Sequence, residues 1–167
     1  GNLANSSGLV GKNLMHHTLI GCEMYVKENL ESYKGFIGSL ISMEFSETDK
    51  KRGFINGFNF NCVNSTSAGN LSIGYTTQTK APWGNKHHDW FYKHFGHGFT
   101  VFAIGDDLPQ KSNYVKLSNK KDKYGLPIPK IHYIPHENDK KLMIFSIKKL
   151  KKIAKAADCF EYIINDY

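Results

Sequence analysis

Histidines crowd one short stretch of the chain: His87, His88, His94 and His97. Imidazoles three or four residues apart on a helix share a face and can hold a divalent metal. His94 and His97 have that spacing, but Gly96 lies between them and is positioned to end a helix. No carboxylate or cysteine completes a ligand set, so no metal site is expected. Helix capping and packing beside Trp83 and Trp90 account for the group. Asp106-Asp107 is a second candidate, because paired carboxylates can do acid–base work. Neighbours on a strand point to opposite faces, and a turn before Pro109 explains the pair better. Gly8-Leu9-Val10-Gly11 lacks the third glycine and the preceding strand of a dinucleotide fingerprint, and no nucleophile elbow is present. Cys22, Cys62 and Cys159 are widely separated and odd in number, which points to buried reduced thiols.

The elements that must position these groups follow from periodicity and punctuation. Residues 1–17 read as a loop and a short helical turn that Asn13 could cap. Thr18 to Tyr25 is β-like, and Tyr33 to Phe45 reads as a longer strand bent at Gly35 and Gly38. Phe58, Phe60 and Cys62 alternate with Asn59 and Asn61, the mark of a strand with one buried face. Residues 64–82 are polar and aperiodic and read as a long loop. His87 to Phe95 has helical spacing. Phe99 to Ile104 reads as a central strand, Tyr114 to Leu117 as a short one, Asp122 to Pro129 as a turn segment kept irregular by its prolines, and Lys130 to Ile134 as the returning strand. His136 to Ala157 is the clearest helix, with acids in its first turn, lysines later, and Met143, Ile147, Leu150, Ala154 and Ala157 as its buried stripe. Phe160 to Tyr167 forms an apolar end that needs cover. Strands with short connections, followed by helices, predict an α+β fold: a largely antiparallel sheet with helices packed on one side.

The chain has 167 residues, 40% of them hydrophobic, enough for a real core. No stretch approaches the roughly 18 apolar residues of a membrane span. The net charge of +7 raises the prospect of an acidic partner. Lysine supplies nearly all the excess, however, with Arg52 the sole arginine, whereas readers of nucleic acid lean on arginine. Lys140, Lys141, Lys148, Lys151, Lys152 and Lys155 fall off the apolar stripe of the last helix and read as its solvated side.

The opening run Asn5-Ser6-Ser7-Gly8-Leu9-Val10-Gly11-Lys12-Asn13-Leu14-Met15-His16-His17 resembles the segment by which glucose–methanol–choline oxidoreductases pass from flavin domain to substrate domain. The family commonly writes it Gly-Val-Gly-Arg/Lys-Asn-Leu-x-x-His, and Gly11, Asn13, Leu14 and His17 match. Later motifs agree in the same order: Pro82-Trp83-Gly84, His87-His88, Phe95-Gly96-His97, Asp107-Leu108-Pro109, Asn113-x-Val115-x-Leu117, Asp122-x-x-Gly125-x-Pro127-x-Pro129, Tyr133 and Glu137-Asn138. A branch acting on sugars and gluconate is the most similar.

The resemblance implies an internal piece of an FAD-dependent enzyme that oxidises a CH–OH group of a sugar, sugar acid or other alcohol by hydride transfer to flavin. Residues 1–17 would leave the FAD-binding domain and residues 18–167 would belong to the substrate domain, walling the pocket, with the loop 64–82 lining or covering it. The family's catalytic His/Asn pair has no counterpart among the residues present, so no catalytic residue is expected here. Gly11, Asn13 and His17 are the candidate cofactor contacts. The implied partners are a small alcohol or sugar and the FAD-binding domain of the same protein, with no nucleic acid. The piece by itself is expected neither to retain FAD nor to be active. The alternative is a basic, non-enzymatic module that contacts nucleic acid or an acidic surface through its lysine-rich helix.

Overall fold

The computed structural model describes residues 4–64, 71 and 81–165. The loop expected over 64–82 lies outside the described residues apart from its ends and Leu71. The elements in chain order are β1 (Thr18–Tyr25), β2 (Gly38–Ser42), a short 3-10 turn (Lys50–Arg52), β3 (Phe58–Asn64), α1 (Asn85–His94), β4 (Gly98–Gly105), β5 (Tyr114–Lys121), β6 (Pro127–His132), α2 (Glu137–Ala156) and β7 (Glu161–Asn165). Five strands form one antiparallel sheet in the order β2-β3-β4-β1-β7, and β5 and β6 form a separate two-stranded ribbon. The fold is α+β, as the order of elements predicts.

The central strand is β4, paired with β3 and β1 along nearly its whole length. Alternation on these strands sends Ile20, Cys22 and Met24 of β1, Phe58 and Phe60 of β3, and Val101 and Ala103 of β4 to one face, where they meet Leu142, Leu150 and Ala154 of α2. Phe45 stacks on Phe58 at 5.1 Å and closes one end of this core. The helix opens on a capping box in which the cap is His136. The His136 ring accepts from Asn138 N at 3.0 Å, and Asp139 Oδ2 accepts from His136 N at 3.0 Å. Its buried row is Asp139, Leu142, Ser146, Leu150 and Ala154; Leu150 and Ala154 belong to the expected stripe, and Met143 and Ile147 of that stripe pack half-buried against the same core. Ser146 is tolerated there because its hydroxyl donates to Met143 O at 2.8 Å.

Other boundaries differ for local reasons. The strand expected over Tyr33 to Phe45 is only Gly38–Ser42, since Gly35 takes φ +83° and the pairing with β3 is irregular between Gly38 and Leu40. Pro127 and Pro129 lie within β6 instead of preventing it. In a two-stranded ribbon half the backbone N–H groups point away from the partner strand, and proline costs no ladder bond there. The apolar end expected after Phe160 is covered in part, because β7 pairs with β1 as an edge strand. Residues 11–14 are extended and turn-like instead of helical, and Asn13 takes φ +55° and caps nothing.

Leu150 is fully buried at the centre of the helix–sheet contact. Leu150→Ala is expected to lower the unfolding free energy by about 3 kcal/mol, read by urea denaturation of the parent and the variant.

Candidate functional site

Motif residues from 11–16, 107–115 and 133–138 gather at one end of the sheet, where β1 begins and β4 ends. Residues 11–14 run beside 113–115: Val115 N donates to Gly11 O at 2.7 Å and Leu14 N to Asn113 O at 3.0 Å. Gly11 has φ +78°, and a Cβ there would collide with the Val115 carbonyl, so this backbone pairing already requires glycine. Two residues on, His16 N donates to Asp107 Oδ2 at 2.9 Å. The Tyr133 hydroxyl donates to the same carboxylate oxygen, and the Tyr133 ring meets the His16 ring edge-on at 4.7 Å. Burial, the bond to Asp107 and the charges of Asp107 and Asp139 all raise the Tyr133 pKa, so the phenol remains a donor. The other Asp107 oxygen is buried without a partner among the described residues.

Asn113 is 1% exposed, and its amide clasps one residue from both sides. Its Nδ2 donates to Ile134 O at 3.0 Å, and its Oδ1 accepts from Ile134 N at 2.9 Å. Asn138 does the same to Ile55, at 2.8 and 3.1 Å. Asp139, equally buried, accepts from Leu108 N at 3.2 Å. The run 11–16, the 106–113 turn, the root of the ribbon and the start of α2 are thus tied by side-chain-to-backbone bonds, each satisfying groups that would be costly to bury unpaired.

The second face of the sheet is different in kind. Among the described residues no helix packs across it as α2 packs across the first. Alternation and register place Leu19, Gly21, Glu23 and Tyr25 of β1, Thr100, Phe102 and Ile104 of β4, Asn59, Asn61 and Val63 of β3, and Glu161 and Ile163 of β7 on this side. Glu23 is 5% exposed, and burial raises its pKa to about 7 against the lowering effect of the Tyr25 hydroxyl, which donates to Glu23 Oε2 at 3.1 Å. The Tyr25 ring meets the buried ring of His94, edge-on at 4.6 Å. His94 places Nδ1 2.6 Å from Trp90 O and Nε2 3.1 Å from Glu161 Oε2, and Trp90 stacks on it at 4.6 Å. The end of α1 is thereby anchored to β1 and β7. On β3, Asn61 Nδ2 donates to Asn59 Oδ1 at 2.8 Å.

The sequence candidates do not converge. His87 Nδ1 lies 3.1 Å from Pro82 O, just before its own helix, and His97 Nδ1 lies 3.2 Å from Val26 O, at the end of β1. His88 is exposed. Trp90 packs as expected, but Trp83 is 95% exposed and packs on none of these histidines, because it precedes α1 instead of lying on its inner face. Among the described residues no group of three or more His, Cys, Asp or Glu could hold a metal. Asp106 is exposed and Asp107 buried, so they form no carboxylate pair. The cysteines are free thiols; burial, with Cys159 and Glu23 nearby, pushes Cys22 up to about 12. Asn13 is half-buried and His17 exposed, and neither side chain makes a hydrogen bond among the described residues. No motif marks Glu23; its signal is a lone carboxylate between Cys22 and Met24 in an otherwise apolar strand.

A cavity of about 450 Å³ lies on the helix side, lined by Phe45, Phe60, Phe99 and Ile153 with Lys149 and Lys152 among its walls. It is almost wholly apolar and has few groups to orient a hydroxylated ligand, unlike the opposite face.

Gly11→Ala is expected to cost at least about 2 kcal/mol in stability by chemical denaturation, through both the left-handed backbone and the Val115 collision. Glu23 should make the fold pH-dependent. Its folded pKa lies above the unfolded value of 4.5, so its contribution is fully present below that pH and is lost as pH rises through about 7. The loss is on the order of 3 kcal/mol. Melting curves taken across this interval should show a declining Tm in the parent and a flatter profile in Glu23→Gln.

No protein-family model matches the chain. It is 43% identical over 162 residues to a 2-methyl-1,2-propanediol dehydrogenase of Mycolicibacterium austroafricanum, across 95% of this chain and 29% of that protein. It is 29% identical over 170 residues to the fructose dehydrogenase large subunit of Gluconobacter japonicus, across 99% of this chain and 30% of that protein. The chain therefore spans less than a third of the length of these relatives. Identity at the first level, sustained almost end to end and joined to the ordered motifs from Asn5 to Asn138, identifies the chain as a member of the glucose–methanol–choline oxidoreductase family.

Proposed function

We propose that this chain is the substrate-side portion of an FAD-dependent oxidoreductase acting on CH–OH groups, with residues 1–17 as the junction to an FAD-binding domain and 18–167 as part of the substrate domain. The observation that carries the reading is the 43% identity to a diol dehydrogenase over 95% of the chain. A diol and a sugar, named for the two relatives, are both rich in adjacent hydroxyl groups, and the substrate is proposed within that class.

The second face of the sheet supports the reading as the wall of a substrate pocket. It sets amides, a hydroxyl and a buried carboxyl among Phe102, Ile104 and Val63, the mixture of apolar lining and few polar groups that small-molecule sites use. The half-buried Asn13 and the exposed His17 have free hydrogen-bonding capacity and fit a cofactor-side role; Gly11 would act by letting the backbone approach Val115. A bound flavin would supply the redox chemistry, as acceptor of the hydride. The residues of this chain bind and orient the alcohol, and none of them is assigned the transfer of its hydroxyl proton.

The complete reading frame that contains this segment should yield a yellow protein whose flavin absorbance bleaches anaerobically on addition of 2-methyl-1,2-propanediol or a sugar. A colourless product, or one that no diol, sugar or simple alcohol bleaches, would reject the function. The chain expressed alone should purify without flavin absorbance and without dehydrogenase activity; a yellow preparation would overturn that part.

A further inference from the structure

The polar residues of the second face are not spread evenly. Asn59 and Asn61 stand two apart on β3, a strand paired on both sides, between the core residues Phe58 and Phe60. Asparagine is depleted in strands because its side chain competes with the ladder. Two of them, half-buried on one face, break a local rule without any gain in packing, and such breaks concentrate at functional positions.

Their mutual bond leaves defined capacity over. Donation from Asn61 Nδ2 to Asn59 Oδ1 at 2.8 Å draws the amides together. Among the described residues Asn61 Oδ1 then has no donor and Asn59 Nδ2 no acceptor, so the pair keeps an acceptor group on Asn61 and a donor group on Asn59. A hydroxyl group both donates and accepts, and two hydroxyls on neighbouring carbons present that pattern in reverse. The flanking positions suit the carbon skeleton: Phe102 and Ile41 lie opposite Asn61 on the two neighbouring strands, and Ile104 lies opposite Asn59. Across β4, Gly21 opposite Phe102 keeps the face low beside the ring.

We propose that Asn59 and Asn61 form a paired-amide reader for two adjacent hydroxyl groups, and that this pair sets a preference for vicinal diols and polyols over monohydric alcohols. The inference rests on the proposed function and names the residues that would determine specificity within it. A monohydric alcohol would leave one amide unpaired against a desolvating ligand, which is the arrangement by which sites reject an analogue lacking a hydroxyl.

The test uses the flavin-loaded enzyme from the complete reading frame, with 2-methyl-1,2-propanediol and fructose as hydroxyl-rich probes and isobutanol as the monohydric one. In Asn59→Ala and Asn61→Ala, kcat/KM for the better hydroxyl-rich probe should fall about 10-fold, mainly through KM. Activity on isobutanol should change much less. Asn61→Thr, which suits a strand and keeps one donor and one acceptor, should lose less and guards against alanine variants that do not fold. Millimolar concentrations of the better probe should also raise the Tm of the parent and leave that of the alanine variants unmoved. A parent without preference for either hydroxyl-rich probe, or variants that keep the parent's preference and Tm shift, would overturn the proposal. If the parent oxidises none of the three, the proposed function fails, and the Tm shifts alone decide whether the amide pair reads adjacent hydroxyls.

Discussion

The register of β1 against β4 decides which side chains this sheet presents to which side. A strand has period two, so a slip of one residue would exchange every inward group for its outward neighbour. Glu23 would then face Leu142 and Leu150, and Cys22 and Met24 would leave the core. Just beyond the paired stretch Thr18 to Tyr25, the bond from His16 N to Asp107 Oδ2 continues the same alignment, since Asp107 follows β4 as His16 precedes β1. Tyr133 donates to the same oxygen and Asn113 clasps Ile134, so the ribbon root is drawn to that point. The motif residues at this end of the sheet are thus largely register pins for the strands that carry the proposed pocket wall.

The outcome of this alignment is a sheet with unlike faces. One face is closed by α2, with Leu142, Leu150 and Ala154 against alternate residues of β1, β3 and β4. The other holds Glu23, Thr100, Asn59 and Asn61 among apolar neighbours. Burying a carboxylate without a cation is expensive, and here the expense takes the form of a pKa raised to about 7. A face built only for stability would have used valine or threonine at these positions. The lysines of α2 need no such explanation: Lys140, Lys141, Lys148, Lys151, Lys152 and Lys155 are on its exposed side, and Lys149 lies over the Phe45 and Phe145 rings.

Much of this was legible in the residues themselves. The alternation of Phe58, Phe60 and Cys62 with Asn59 and Asn61 marked a strand and its two faces. Glu137, Asp139 and the later lysines marked α2 within a residue of its true ends. The failures were those of long-range context. Nothing local shows that the prolines of β6 sit in a ribbon with free edges, that Asn13 adopts a left-handed turn so that residues 11–14 can pair with 113–115, or that Trp83 lies outside the packed histidines. The buried cluster of Glu23, Tyr25, His94 and Glu161 joins three elements far apart in sequence, and only the sheet order β4-β1-β7 brings them together.

That cluster also explains why α1 stays against the sheet with so little apolar surface of its own. Its fully buried side chain is His94, which a helix of this composition would ordinarily expose. Two acceptors, Trp90 O and Glu161 Oε2, face the two ring nitrogens, while Tyr25 and Trp90 cover the ring edge-on and face-on. Gly96, at φ +83°, then turns the chain directly into β4. The helix is therefore held by a polar side chain inserted into an aromatic cage, alongside the stack of Phe91, Phe95 and Tyr33, and the seat of His94 is built from β1, whose register the His16–Asp107 contact maintains, and from β7, which pairs with β1. Disturbing that contact would loosen the polar face and the helix beside it together, because both depend on where Tyr25 falls along β1.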